Sequence, residues 1–309
     1  MFAIFESILP IFLLVITGAV LRRLPLVDDG LWPGLETFGF YVLFPALLFL
    51  TLANADFSGL ELGAISLTAF LSVILMFGLL FALYPMMKAR GVSDSTFTSV
   101  FQTTTRWNGF VALAIAERYA GTGALAIVAL VMAVNIIPLN LTNVGVLLWF
   151  GSGNRQFGSF VRKLGTNPLI IGCLAGLAMN AAPFGIYPPI EQAIDLLARS
   201  ALGLGLVMVG AGLVVNDALK PSRMVLFASG LKLLLLPAIM VGLALLFGIS
   251  GQVLVLLAIC GSVPTALNGY LLARQMGGDA PIYAAITTLQ TVFSFLTIPA
   301  VIAVAEALG

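Results

Sequence analysis

Histidine is absent from this chain of 309 residues, charged side chains make up only 9% of it, and its two cysteines, Cys173 and Cys260, stand far apart in apolar runs. Each scarcity excludes something. Without histidine there is no imidazole base, no serine–histidine pair and no His-Glu-x-x-His zinc motif. Two distant cysteines in apolar surroundings form neither a disulfide framework nor a metal site, and read as small buried hydrophobes. The one Asp-Asp pair, Asp28-Asp29, lies in a polar connection rather than inside a helix, so paired catalytic aspartates are not indicated. The chain is therefore not expected to be an enzyme or to need a cofactor or metal. A formal net charge of +1 gives no reason to expect a nucleic-acid partner.

Hydrophobicity is what the chain has in excess. Apolar residues account for 61% of the sequence, and the mean hydropathy is +1.12, which leaves far too little polar surface to coat a soluble globule. A multi-pass protein in contact with the lipid bilayer is expected. The opening stretch, MFAIFESILPIFLLVITGAVLRR, lacks both a basic leader and a small-residue cleavage site, and reads as a retained first helix. Cutting the chain at its polar and Gly/Pro clusters yields ten predicted segments: 2–22, 31–52, 60–86, 96–119, 122–150, 166–182, 188–215, 221–248, 252–274 and 280–307. The longest polar connection, residues 151–165, divides a first five-helix half (1–150) from a second (166–309).

Basic residues set the orientation. Arg22, Arg23, Lys88, Arg90, Arg155, Arg162, Lys163, Lys220, Arg223 and Arg274 fall on one side of the predicted topology, and Arg118 on the other. The richer side is expected to be cytoplasmic, which puts both termini on the non-cytoplasmic side of a cell (inner) membrane and makes 151–165 a cytoplasmic linker. Three basic residues, Arg106, Arg199 and Lys232, remain inside the segments.

Two halves with five helices each must be inverted relative to one another. Sequence echoes accompany this. Pro10 and Gly18 in the first segment match Pro168 and Gly176 in the sixth; Pro138 in the fifth matches Pro299 in the tenth; TRWNGF, from Thr105, matches TALNGY, from Thr265. The last pair coincides with two places where helices should break, at Asn108-Gly109 and at Gly261, Pro264, Asn268 and Gly269. Unwound backbone inside a membrane must be buried in protein or line a watery cavity, and half-helix N-termini favour an anion. A binding site for a small organic anion is expected there, with Arg106 as counter-charge, Asn108 and Asn268 as amide partners, Thr105 and Thr265 as hydroxyls, Trp107 as an apolar wall, and Gly109, Pro264 and Gly269 shaping the backbone. A structural ion pair between Arg106 and a neighbouring acid is the alternative.

No carboxylate lies at either break. Glu36 sits a turn inside the second segment, and Glu191, Asp195 and Arg199 share one face of the seventh, where an ion-pair ladder and a gating or coupling role fit equally. Lys232 reads as a side chain reaching toward the inner membrane surface.

Four stretches then carry a resemblance: FYVLFPALLF (Phe40–Phe49), RWNGFVALAIA from Arg106, VPTALNGYLLARQMGGDA (Val263–Ala280) and TTLQTVFSFLTIPAVI (Thr287–Ile302). With them the chain resembles the auxin efflux carrier family, in particular its bacterial, PIN-like and malonate-transporter-like members. The resemblance implies an all-α fold of ten transmembrane helices in two inverted repeats, like that of bile-acid symporters and sodium/proton antiporters. In that fold the first, second, sixth and seventh helices form a scaffold that often makes a homodimer. Helices three to five and eight to ten form an elevator-like transport domain. It also implies that the broken fourth and ninth helices cross at the substrate site, with Asn108 and Pro264 at the crossover. Trp107 stands where plant members carry a proline. The expected function is a secondary carrier exporting auxin-like or dicarboxylate-like organic anions. A cation- or proton-coupled symporter of organic acids and an anion channel are the alternatives.

Overall fold

The computed structural model describes residues 2–25, 27–28, 30–57, 61–151, 166–213 and 221–309. Among them every regular element is helical: α1 (Phe2–Leu21), α2 (Leu31–Ala53), α3 (Leu62–Ala89), α4 (Asp94–Thr105), α5 (Gly109–Ala120), α6 (Ala124–Phe150), α7 (Pro168–Asn180), α8 (Pro188–Ala211), α9 (Arg223–Leu246), α10 (Gly251–Ser262), α11 (Asn268–Met276) and α12 (Ala280–Leu308). Linker residues 152–165, with Arg155, Arg162 and Lys163, lie outside the described residues, as do Asp29, Lys220 and the predicted end of the seventh segment at 214–215.

Six helices, α2, α3, α6, α8, α9 and α12, are long and apolar enough to cross a membrane. By contrast α4, α5 and α10 have 12 residues each and α11 has 9. At a rise of 1.5 Å per residue each of these reaches about 18 Å or less, roughly half of a hydrocarbon core. The predicted segments 96–119 and 252–274 are thus each two half-length helices with an extended joint.

The helices are apolar on nearly every face, so hydropathy alone does not say which face meets protein. On α1 the residues Ile8, Ile11, Phe12 and Val15, at helical spacing, are buried, while the equally apolar Leu13, Ile16 and Val20 are exposed. Small residues mark the contacts. A Cβ added to Gly18 would run into the Val207 carbonyl, and one added to Gly210 into the Val15 carbonyl, so α1 and α8 meet backbone to backbone. A Cβ on Gly172 would stand 2.9 Å from the Pro45 oxygen and one on Gly176 2.6 Å from the Phe49 oxygen, which brings α7 equally close to α2. A second body of packing joins α3, α4, α9 and α12, where the Phe77 and Phe101 rings stack with centroids 5.5 Å apart.

Two helices contain a π-turn, Gly39–Leu43 in α2 and Leu231–Leu235 in α9. In both a proline follows two residues later, Pro45 and Pro237. Proline has no N–H to give to the carbonyl four residues behind it, Tyr41 or Leu233, and the widened turn lies at that gap.

Candidate functional site

The half-helices are built by local capping. The Ser93 hydroxyl accepts the Thr96 N–H (3.1 Å) and starts α4. After Thr105 the backbone turns extended at Arg106 (φ −69°, ψ 157°), and Asn108 restarts the helix by accepting the N–H groups of Phe110 (3.1 Å) and Val111 (3.3 Å). In the other half α10 ends at Val263 (φ −68°, ψ 149°), and Pro264 cannot continue it. Here α11 begins without a side-chain cap: Leu267 precedes it and Asn268 is already its first helical residue. The two asparagines of the matching motifs therefore do different local work.

The joints touch. Asn108 donates its backbone N–H to the Pro264 carbonyl at 2.8 Å. Gln290 of α12 spans both breaks, since its Nε2 donates to the Thr103 carbonyl (3.1 Å) and its Oε1 accepts the Thr265 N–H (2.9 Å). Tyr283 donates to the Ala266 carbonyl (2.6 Å) and packs so tightly on Gly269 that a Cβ there would overlap its ring. Backbone groups released by two interrupted helices are thus met by side chains of α12, as buried polar backbone requires.

A cavity of about 640 Å³ opens beside this junction. Trp107, Asn108, Gly109 and Asn268 stand on its wall, together with Glu36 from α2. Phe44, Phe110, Met132 and Met208 supply apolar wall, Tyr270 and Tyr283 line it from α11 and α12, and Arg22 and Arg274 belong to its rim. The exposed Asn268 and the uncapped start of α11 give the cavity an amide side chain and a half-helix N-terminus together.

Other expected site residues sit elsewhere. Thr105 is buried against α6, donating to the Asn143 Oδ1 (3.1 Å); Thr265 is buried beside the Tyr283 hydroxyl (3.4 Å); Pro264 and Gly269 lie behind the cavity wall. Arg106 stands furthest from its expected place. It is 6% exposed, is absent from the cavity wall, and gives Nη1 to the Asn140 Oδ1 at 3.3 Å, while Nε and Nη2 have no partner. The extended joint turns successive side chains to opposite sides, so Trp107 meets the cavity and Arg106 does not. The alternative ion pair is not found either: among the described residues no carboxylate is buried.

On α8 only part of the expected ladder forms. Arg199 pairs with Asp195 (2.7 Å), whereas Glu191 accepts from the Asn54 side chain (2.7 Å), and none of the three lines the cavity. Lys232 does not reach toward the membrane surface. It is fully buried in the π-turn of α9 and its Nζ has no hydrogen-bond partner. Gln290 and Tyr283 carried no signal of their own in the sequence, although both fall in or beside the stretch TTLQTVFSFLTIPAVI. Among the described residues no group of three or more Cys, Asp or Glu side chains could hold a metal.

A family model described as "Membrane transport protein" matches residues 155–302. Over 301 residues the chain is 26% identical to a protein of Rhizobium meliloti (strain 1021) named "Putative malonate transporter", covering 94% of this chain and 92% of that one.

Proposed function

We propose that this chain is a multi-pass membrane transporter, and not an enzyme, that carries small organic carboxylate anions by alternating access; the match of residues 155–302 to the membrane transport protein family and the similarity to a protein named as a putative malonate transporter support the reading. The observation that carries the reading is the Asn108 N–H to Pro264 carbonyl bond, which joins two interrupted helices at the wall of a 640 Å³ cavity. Broken helices meeting inside a bundle are the usual home of a transported ion or organic anion. The relative's name makes malonate the first substrate to try. Asn268 and the start of α11 are the proposed carboxylate contacts, Trp107 and Phe110 the apolar walls, and Arg106 acts on the anion through its field from behind the joint.

The paired contacts α1 with α8 and α7 with α2, each through glycines, support two inverted five-helix repeats with α1, α2, α7 and α8 packed as one scaffold, and a homodimer through that scaffold is part of the proposal. The remaining helices then move as the elevator. The rim residues Arg22 and Arg274 belong to the basic, cytoplasmic side of the proposed topology, so the cavity is read as inward-open with both termini outside the cell. A monoanion leaving down an inside-negative potential gains about 2.3 kcal/mol per 100 mV, so export needs no coupling ion. Glu36 on the cavity wall favours a second reading, proton-linked carriage, in which an anion enters once this carboxylate is protonated.

The test is labelled-malonate counterflow in proteoliposomes across pH, with a thermal-shift panel of mono- and dicarboxylates. Saturable flux and ligand-linked stabilisation are expected; conduction without saturation would make the chain a channel, and no response to any carboxylate would reject the reading. A pH dependence that disappears in Glu36→Gln would select proton linkage.

A further inference from the structure

Lys232 plays no part in the site as described, yet it is one of two charged side chains buried among the described residues, the other being Arg106. Its π-turn packs against α4, α10 and α12. It meets α10 beside the last turn, which carries Cys260, and immediately beyond the π-turn a Cβ on Gly261 would stand 2.9 Å from the Pro237 Cα. The lysine is therefore held against the C-terminal end of an interrupted half-helix.

That end is rich in unclaimed carbonyl charge. Pro264 has no N–H for the Cys260 carbonyl four residues behind it, and the Thr265 N–H, which would have reached the Gly261 carbonyl, goes to Gln290 instead. A half-helix C-terminus carries negative partial charge that a cation satisfies, and in carriers built on broken helices unwound carbonyls and half-helix C-terminal ends are where a coupling sodium ion or proton is held. Here an ammonium with no hydrogen-bonded partner and no buried carboxylate nearby sits on the turn packed against that end, so it acts on the carbonyls through its field and not through direct bonds.

We propose that Lys232 is a tethered cation for the α10 break, supplying the positive charge that a coupling metal ion would bring, so that transport has no sodium requirement. The proposal rests on the reading of the chain as a broken-helix carrier. It assigns to one covalently attached charge what an exchangeable ion does elsewhere, and ties the carrier's driving force to its substrate and the membrane potential.

The experiment compares wild type, K232R and K232M by labelled-malonate counterflow and by thermal shift, in sodium, potassium and choline media with and without methylammonium. Wild-type flux should agree within twofold in all three media. K232R should keep most of it, whereas K232M should lose at least tenfold in choline and regain part of it with sodium or methylammonium. K232M, and not the wild type, should gain thermal stability from those two cations. A sodium requirement or sodium-linked stabilisation in the wild type overturns the proposal, as does undiminished K232M flux in choline or a loss that no cation restores. If K232M yields no folded protein, the wild-type sodium response and the retention of flux by K232R decide. If the wild type carries no malonate in any medium, the functional reading fails, and the thermal-shift arms still judge the role of Lys232.

Discussion

Asn108 and Asn268 occupy equivalent places in TRWNGF and TALNGY, and only the tertiary structure separates their roles. Asn108 caps α5, so Asn108→Ala is expected to cost about 0.5–2 kcal/mol of stability along with transport, read by thermal denaturation and counterflow. Asn268 is exposed to the cavity and caps nothing, so Asn268→Ala should abolish malonate flux with the melting temperature nearly unchanged. Near-normal flux in that variant would remove α11 from the binding site. Gln290 holds both breaks at once. Gln290→Ala strands the Thr103 carbonyl and the Thr265 N–H away from water, about 1–3 kcal/mol for each unpaired group, and a stability loss below about 1 kcal/mol would mean that other partners replace it. The asparagines were legible because a Thr-x-x-Asn-Gly-aromatic pattern recurs. Gln290 was not, since one amide in an apolar helix shows no partner until a distant backbone is brought to it.

At the level of the helix, the echo of Pro10 and Gly18 in Pro168 and Gly176 conceals unequal parts. Pro10 lies inside α1 whereas Pro168 opens α7, where a missing N–H costs nothing. The glycines are alike in that each lets a neighbouring backbone approach, Gly18 against Val207 and Gly176 against Phe49. Replacing Gly210 with valine should wedge α1 away from α8, because the neighbour it meets is the Val15 carbonyl and not a movable side chain. A loss of about 1–3 kcal/mol or failure to fold is expected in thermal denaturation in detergent, and an unchanged melting temperature would contradict the close approach. Helix lengths followed from apolar runs to within a few residues. The joints at 106–108 and 263–267 were placed by asparagine, glycine and proline, but the sequence did not show that Arg106 and Trp107 leave the joint on opposite sides.

For the molecule as a whole, sidedness and ligand linkage are both measurable. With Arg90 and Arg274 on the cytoplasmic side of the proposed topology, a cysteine at position 90 should react with an impermeant reagent only from inside, and one at position 57 only from outside. The reverse pattern would invert the carrier in its membrane. A bound dicarboxylate at one hundred times its dissociation constant should stabilise the folded protein by about 2.7 kcal/mol, visible as a concentration-dependent rise in melting temperature.

An all-helical, multi-pass membrane protein and its two interrupted segments were readable along the chain, because hydropathy, proline, glycine and capping residues act over a few neighbours and leave their mark locally. Which faces of uniformly apolar helices meet protein could not be read that way, since lipid and protein ask for the same side chains and only close backbone approach tells them apart. The same holds for charge. Arg106 and Lys232 looked like a ligand contact and a surface-seeking lysine, and both are instead enclosed, one behind the cavity wall and one against the end of α10. What surrounds a buried cation is supplied by other helices, Asn140 of α6 beside Arg106 and α4, α10 and α12 around the π-turn of Lys232, and only their packing brings them there.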